Sequence, residues 1–232
     1  MSVWQKNMNI CTARYPENEL GGLMICGINW GSDPESPATE EDASFFSDSR
    51  VNKYPYRNRL SEWFKSWGHE FVTEIGSEGP FERSIAQTNW LPDQSISLKG
   101  RNVIKEAKEN PDNFLRHLEA LRPRLLILCG ASSLMPALNS PDCLRCVEKV
   151  LGAAARPYLP PLQHDVMQEN GRKARRFRVF IQKFEQCDVL GLPHPTGSRG
   201  LSNLYMQQFS KEIDPLIKKF KSNLHSQNLS AS

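Results

Sequence analysis

The segments GLMICGINWG (residues 22–31) and DVLGLPHPTGSRGLSN (residues 188–203) decide the predicted fold. Each has the pattern of a buried strand that ends in a polar, glycine-rich turn, which presents Asn29 in the first segment and His194 in the second. Ligands of open α/β sheets bind at the carboxyl ends of parallel strands, so two such ends can share one pocket. Asn29 can orient a water molecule, and His194 can hydrogen-bond the oxygen of a leaving group. The pair suggests a hydrolase that needs no strong nucleophile.

The rest of the chain alternates apolar segments with amphipathic ones. Buried strands are predicted at residues 23–29, 84–90, 124–130 and 188–194. A fifth candidate is RFRVFIQKF at 176–184, in which basic and apolar residues alternate. Helices are predicted at residues 56–68, 113–123 and 201–220, the last interrupted by Pro215, which can kink a helix. Strands separated by helices favour the α/β class, as a single-domain, three-layer αβα fold with a central, mostly parallel sheet of about four strands.

Length and composition indicate one globular domain. The 232 residues suffice to bury a full core, and 39% hydrophobic with 24% charged residues is an ordinary balance for a soluble protein. We expect the domain to cover residues 1–220 and residues 221–232 to form a disordered tail. No apolar run approaches the roughly 20 residues that cross a membrane, and the amino terminus lacks the apolar core of a signal peptide. We therefore expect no membrane partner and a cytoplasmic location, or a nuclear one in a eukaryote.

The net charge and the cysteine content limit which partners and cofactors can be expected. A net charge of +3 permits a polyanionic partner without requiring one. Cys143 and Cys146 form a single CxxC pair, whereas a closed metal site needs a second pair. The other four cysteines are scattered singly, and a cytosolic or nuclear location favours free thiols. We expect a monomer with no metal and no cofactor.

Five segments together resemble the uracil-DNA glycosylase superfamily. GINWG at 27–31 is similar to its first motif, closest to the mismatch-specific uracil/thymine branch, whose pattern is Gly-Ile-Asn-Pro-Gly. HPTGSR at 194–199 resembles the second motif, His-Pro-Ser followed by a polar loop. The segments TNW (88–90), FF (45–46) and RPRLLILCGASS (122–133) resemble the base-reading strand, the base-stacking aromatic position and the third strand. The segments occur in the family's order, from about residue 20 to residue 215.

The resemblance implies hydrolysis of the N-glycosidic bond between a pyrimidine and deoxyribose in DNA, which leaves an abasic site. This bond breaks with positive charge on the sugar and negative charge on the base, so catalysis stabilises the base anion and delivers a water. His194 would donate a hydrogen bond to the pyrimidine oxygen, and Asn29 would hold the water through its amide oxygen. Because asparagine is not a strong general base, we expect chemistry about 10²–10⁴-fold slower than with a carboxylate.

A base inside a duplex must be flipped out and read by stacking and by hydrogen bonds to its edge. The resemblance places Gly27, Ile28 and Gly31 in the base pocket and gives Phe46 the stacking role, although an aromatic before a helix is equally typical of a core residue. The Asn89 amide carries a donor and an acceptor, so it can pair with uracil or, turned over, with cytosine. The site predicts a pyrimidine without choosing between the two.

Two residues depart from the family pattern. Trp30 replaces the proline of the motif, which makes the turn less rigid and sets a large ring at the pocket mouth. Gly31 stands where strictly uracil-specific members carry a bulky tyrosine against the 5-carbon of the base. The space left by glycine makes a 5-modified pyrimidine a candidate substrate.

DNA, double-stranded or single-stranded with a flipped pyrimidine, is the partner that the resemblance implies. The loop at 196–200 would enter the minor groove, where Arg199 fills the gap left by the flipped base. The densest basic run, at 172–178, could follow the DNA backbone. The residues expected to contact DNA are Thr196, Ser198, Arg199, Lys173 and Arg175.

Three other functions fit the same residues. The first is the removal of hypermodified (hydroxymethyl or glucosylated) pyrimidines from phage DNA as a bacterial defence, which the space at Gly31 suits. The second is a non-catalytic module that binds DNA with the same fold. The third is a hydrolase of free nucleosides built on a similar sheet.

Overall fold

The computed structural model describes residue 10 and residues 12–31, 43–95, 97–166 and 175–230. The strands within these residues are β1 (Leu23–Gly27), β2 (Ile85–Asn89), β3 (Leu125–Cys129), β4 (Phe180–Lys183) and β5 (Asp188–Leu192). The helices within them are α1 (Pro16–Glu19), α2 (Ser49–Asn52), α3 (Pro55–Ser66), α4 (Pro80–Arg83), α5 (Val103–Glu109), α6 (Asp112–Leu121), α7 (Ala131–Leu138), α8 (Pro141–Leu151), α9 (Asn203–Gln207) and α10 (Ser210–Ser230).

The strands form one sheet in the order β2-β1-β3-β5-β4. The first four strands in this order run parallel, and β4 pairs antiparallel with β5. Every residue of the parallel strands is buried, as expected where helices cover both faces of a sheet. The α/β class and the mostly parallel sheet are therefore confirmed. The sheet has five strands rather than about four, because the candidate at 176–184 forms the half-exposed edge strand β4.

Two apolar clusters lie on opposite faces of the sheet, because successive side chains of a strand point to opposite sides. In β1, Met24 and Cys26 belong to one cluster, and Leu23 and Ile25 belong to the other. Helices α5 to α8 pack into the first cluster, whereas α3, α9 and α10 pack into the second. This arrangement is compatible with the predicted three-layer architecture.

The helices at the end of the chain differ from the predicted single segment at 201–220. α9 ends at Gln207 and α10 begins at Ser210, while Pro215 lies inside α10. Phe209 is fully buried at the junction, where its ring lies 5.5 Å from that of Tyr205. α10 continues to Ser230, and Leu224 within the predicted tail is buried. Among the described residues, no helix combines the length and the apolar character needed to cross a membrane.

Candidate functional site

The turn after β1 is attached to the chain that follows β2. Four main-chain hydrogen bonds of 2.8–3.3 Å join residues 27–30 to residues 90–95, and they extend the parallel pairing beyond the two strands. Trp30 both donates to Asp93 and accepts from Ser95 in this set. A turn that lacks the proline of the family motif is thus held by hydrogen bonds to a neighbouring loop. The two loops therefore form one continuous surface at the carboxyl ends of β1 and β2.

Asn29 is oriented by a network that the sequence analysis did not identify. Its Nδ2 donates to Ser95 Oγ at 2.5 Å, and Asp93 lies beside it. Arg101 forms ion pairs with Asp93 and with Glu106, each at 2.5 Å. The Arg101 guanidinium holds the pKa of Asp93 below its usual range, with a smaller contribution in the same direction from the Asn29 amide. Because Nδ2 faces Ser95, Oδ1 of Asn29 is the acceptor left without a donor among the described residues.

His194 is held in one tautomer by its own loop. Its Nδ1 accepts from the backbone N–H of Gly197 at 2.9 Å and from that of Thr196 at 3.3 Å. Burial lowers the pKa of His194 to about 4, so the ring is neutral at pH 7. A neutral imidazole that accepts at Nδ1 carries its proton on Nε2. The described residues offer no acceptor to that proton, so Nε2–H is available to a ligand.

Gly130, after β3, lies between the two turns. A Cβ added to Gly130 would meet Ile28 Cδ1 at 2.9 Å and His194 Cδ2 at 3.9 Å. Its φ of +121° is a conformation that residues with side chains rarely adopt. Because β3 separates β1 from β5, the Asn29 and His194 turns start roughly 10 Å apart at the usual strand spacing.

Asn89 lies opposite Gly27 in the register of β1 and β2. Its Oδ1 packs so closely over Gly27 that the space for a Cβ there is occupied. Asn113 Nδ2 donates to the main-chain oxygen of Asn89 at 2.8 Å and so anchors the end of β2. Asn89 is almost fully buried, with 4% of its surface exposed. The amide carries a donor and an acceptor, so at this strand end it can read a polar ligand.

Phe46 lies in the core. Its ring is fully buried, stacks on Phe71 with 4.1 Å between ring centroids, and meets the edge of the Phe45 ring at 4.7 Å. It therefore presents no free face, and a base could stack on it only if the contact with Phe71 opened. The structure departs here from the stacking role and matches the alternative of a core residue. The reason is tertiary, since Phe71 follows the helix that Phe46 precedes.

The loop after β5 is compact and carries exposed polar groups. Ser198 N–H donates to the oxygen of His194 at 3.2 Å, and Arg59 Nη1 on α3 donates to the oxygen of Pro195 at 2.6 Å. Thr196 and Arg199 are exposed, and Arg199 has no ion-pair partner among the described residues. This loop can therefore meet a partner without breaking its own hydrogen bonds.

The basic run is only partly described. Lys173 lies outside the described residues, whereas Arg175 is exposed with its guanidinium 5.5 Å from the centre of the Phe177 ring. Arg176 forms an ion pair with Asp165 at 2.6 Å, which neutralises one charge of the run. Gly31 is exposed, and no atom of the described residues lies within 4 Å of a Cβ built on it. The described residues also contain no group of three side chains placed to hold a metal ion.

Sequence reasoning missed four residues at this edge: Tyr56, Asp93, Ser95 and Arg101. Asp93 and Ser95 belong to the polar loop that follows β2, and this position alone could have marked them as candidates. Tyr56 lies in the first turn of α3, where the chain carries no comparable signal. Its contacts with the site arise because α3 packs on the face of the sheet that carries Leu23 and Ile25.

No protein-family profile matches the chain, and no curated protein matches it significantly. What the site can do is therefore argued from its own groups. They are the Asn29 amide oxygen, which can accept from water, the neutral His194 N–H, which can donate to an oxygen, and the Asn89 amide on the edge strand β2.

Proposed function

We propose that the protein is a DNA glycosylase of the uracil-DNA glycosylase superfamily, which flips a pyrimidine out of DNA and hydrolyses its N-glycosidic bond in base excision repair. The proposal rests on two polar groups that lie at the same edge of the sheet and have no hydrogen-bond partner among the described residues. Asn29 Oδ1 is an acceptor that Ser95 leaves unpaired, and His194 Nε2–H is a donor that the loop contacts at Nδ1 create. Uracil or a 5-modified pyrimidine is the proposed base.

The proposed mechanism uses no covalent intermediate. The C1′–N1 bond breaks, both of its electrons leave with the base, and positive charge develops on the sugar. His194 Nε2–H donates a hydrogen bond to the pyrimidine oxygen, where negative charge accumulates. Asn29 Oδ1 accepts a hydrogen bond from water and directs its oxygen to C1′. The water forms the new C–O bond and its released proton neutralises the departing base, which leaves an abasic site.

His194 acts as a hydrogen-bond donor rather than as an acid in this scheme. Burial lowers the pKa of His194 to about 4, so the cationic form is scarce at neutral pH. Its single proton stays on Nε2 because Gly197 and Thr196 occupy Nδ1. A donor that is fixed before the substrate arrives stabilises the anion without reorganisation.

DNA would lie across the loop after β5. Arg199 is exposed and would fill the gap left by the flipped base, with Thr196 and Ser198 beside it. Arg175 and Lys173 would follow the phosphate backbone, which gives an attraction that depends on salt and not on sequence. Asn89 would pair with the edge of the base.

An abasic-site assay tests this proposal. The protein is incubated with oligonucleotides that carry uracil, 5-hydroxymethylated or glucosylated pyrimidines, and abasic sites are cleaved with alkali. We expect strand cleavage with at least one of these bases and a loss of about 10²-fold or more in Asn29→Ala and His194→Ala. Asn58→Ala, an exposed asparagine on α3, is the matched control and should keep full activity. No cleavage of any substrate would contradict the proposal.

A second candidate function is favoured by the space that the described residues leave around Gly31. No described atom lies within 4 Å of a Cβ at this position, so a large 5-substituent meets no described side chain there. Removal of hydroxymethylated or glucosylated pyrimidines from phage DNA would use the same catalytic groups. Cleavage of these substrates but not of uracil would support this function, and cleavage of uracil alone would exclude it. Binding of DNA without cleavage would instead indicate a non-catalytic module.

A further inference from the structure

Tyr56 lies beside the proposed catalytic histidine. It occupies the first turn of α3, and its ring centroid is 5.8 Å from that of His194 with a tilt of 56° between the rings. The residue as a whole is half-buried, but its hydroxyl reaches inward. Tyr56 Oη lies 3.5 Å from the position of a Cβ on Gly27, where it converges with Asn89 Oδ1. One aromatic side chain thus spans the distance from the β5 turn to the end of β1.

Two buried polar atoms lie near this point. Tyr56 Oη and Gln87 Oε1 make no hydrogen bond of normal geometry with any described residue, and the Cys129 thiol also lies beside the Tyr56 hydroxyl. Gln87 is a close neighbour of the Tyr56 hydroxyl, and its Nε2 already donates to the oxygen of Thr88 at 2.7 Å. Folded proteins rarely leave buried polar groups unpaired, so two such atoms beside a strand end mark a place where a polar ligand or a water can bind. The orphaned atoms point to a polar floor beneath the site.

The Tyr56 hydroxyl is a neutral group at every pH at which the protein would work. Burial first, and then the neighbouring Cys129 thiol, raise the pKa of Tyr56 well above its ordinary value. A neutral phenol can donate one hydrogen bond and accept another. It therefore suits an edge that carries both a carbonyl and an N–H group, as pyrimidines do.

We propose that Tyr56, rather than Phe46, is the aromatic residue that binds the flipped base and contributes to its selection. The half-buried ring forms a wall next to His194, and the hydroxyl with Gln87 forms the floor that meets the polar edge of the base, directly or through one water. The inference rests on the proposed function for the identity of the ligand, a pyrimidine nucleotide. Phe46 does not take this role in the structure, because its ring is buried and stacked on Phe71.

Two substitutions separate the contributions of the ring and the hydroxyl. Tyr56→Phe keeps the ring and removes the hydroxyl, while Tyr56→Leu removes the aromatic wall. Tyr54→Phe is the matched control, because Tyr54 lies two residues away with 57% of its surface exposed. Thermal melting followed by circular dichroism reports whether each variant folds. Should Tyr56→Leu fail to fold, the conservative Tyr56→Phe still tests the hydroxyl.

Binding and cleavage are measured separately. Fluorescence anisotropy gives the Kd for oligonucleotides that carry 2′-fluoro-2′-deoxyuridine or its 5-hydroxymethylcytosine counterpart, which resist hydrolysis, and for unmodified duplex. Single-turnover rates are measured on the cleavable substrates. We expect Tyr56→Leu to bind the analogue at least 10-fold more weakly and Tyr56→Phe about 3- to 10-fold more weakly. Binding to unmodified duplex should not change in either variant, and Tyr54→Phe should match the parent.

The outcomes distinguish this inference from the proposed function. If the parent cleaves DNA and both Tyr56 variants bind and cleave within twofold of it, the inference is overturned and the function stands. If the parent prefers the analogue but makes no abasic sites, and Tyr56 variants lose the preference, the function fails and the inference stands. If the parent shows no preference for either analogue over unmodified duplex and no cleavage, both are overturned.

Discussion

Asn29 Nδ2 lies 2.5 Å from Ser95 Oγ, across 66 residues of sequence. This hydrogen bond decides which end of the Asn29 amide faces the site, because the donor is engaged and the acceptor is left free. Asparagine can present either end to a ligand, and a water nucleophile needs the oxygen. The role proposed for Asn29 therefore depends on a serine in a different loop.

Ser95→Ala should release the Asn29 amide without removing it. We expect the single-turnover rate to fall about 10-fold, equivalent to about 1.4 kcal/mol of transition-state stabilisation, while the Kd for DNA changes little. The comparison is Ser97→Ala, an exposed serine in the same loop. Equal rates for parent and Ser95→Ala would show that the hydrogen bond does not orient the amide.

The rate should depend on pH through His194 at acid pH only. Burial lowers the pKa of His194 to about 4, so the neutral ring predominates above that value. We expect a flat single-turnover rate between pH 8 and about 5 and a decline as pH approaches 4, where protonation at Nδ1 breaks the loop hydrogen bonds. A decline centred near pH 6.5, the ordinary value for histidine, would indicate that the ring is solvated.

Asp93→Asn should destabilise the protein near neutral pH and not in acid. The pKa of Asp93 is lowered in the folded state, chiefly by Arg101, so the carboxylate adds stability above its ordinary pKa of 3.8. That contribution declines once the pH falls below 3.8, where the unfolded chain takes up the proton, and it is gone below the lowered pKa of the folded carboxyl. Because the side chain is 40% exposed, we expect a difference below about 1 kcal/mol at pH 7. Urea unfolding at pH 7 and pH 3 measures it, and an equal difference at both would contradict this assignment.

Gly130→Ala and Gly31→Ala should differ sharply in stability. At Gly130 an added Cβ lies 2.9 Å from Ile28 Cδ1 and the φ of +121° disfavours any side chain. We expect a loss of about 1–3 kcal/mol in the free energy of unfolding. Gly31→Ala meets no described atom within 4 Å, and we expect a change within about 0.5 kcal/mol. Chemical denaturation of both variants provides the measurement.

Arg175→Gln should reduce the salt dependence of DNA binding more than Arg176→Gln. The charge of Arg175 has no carboxylate partner among the described residues, whereas Arg176 is paired with Asp165 at 2.6 Å. Loss of one phosphate contact lowers the slope of log K against log salt by about 0.9. Anisotropy titrations from low to moderate salt test this. Identical slopes in the two variants would mean that the ion pair opens on DNA or that neither residue contacts it.

The parallel strands were predictable because a strand that is buried on both faces is an unbroken run of small or apolar residues in the sequence. Residues 23–27 and 125–129 are unbroken runs of small or apolar residues, and the strands begin and end close to the predicted limits. The edge strand was less clear, since only Gln182 of residues 180–183 is buried and the strand pairs with β5 alone in the sheet. The division of residues 201–220 into two helices was not predicted. It depends on the burial of Phe209 among residues distant in sequence.

The sequence by itself determined the α/β class and the placement of Asn29 and His194 in polar turns after buried strands, because these features depend on local runs of residues. Only the tertiary structure decided how the side chains are used. The hydrogen bond to Ser95 orients the Asn29 amide, and the loop contacts at Nδ1 place the proton of His194 on Nε2. Phe46 is buried against Phe71, and Tyr56 lies beside His194. Hydrogen-bond direction and ring burial depend on residues that are distant in the chain, so no local pattern records them.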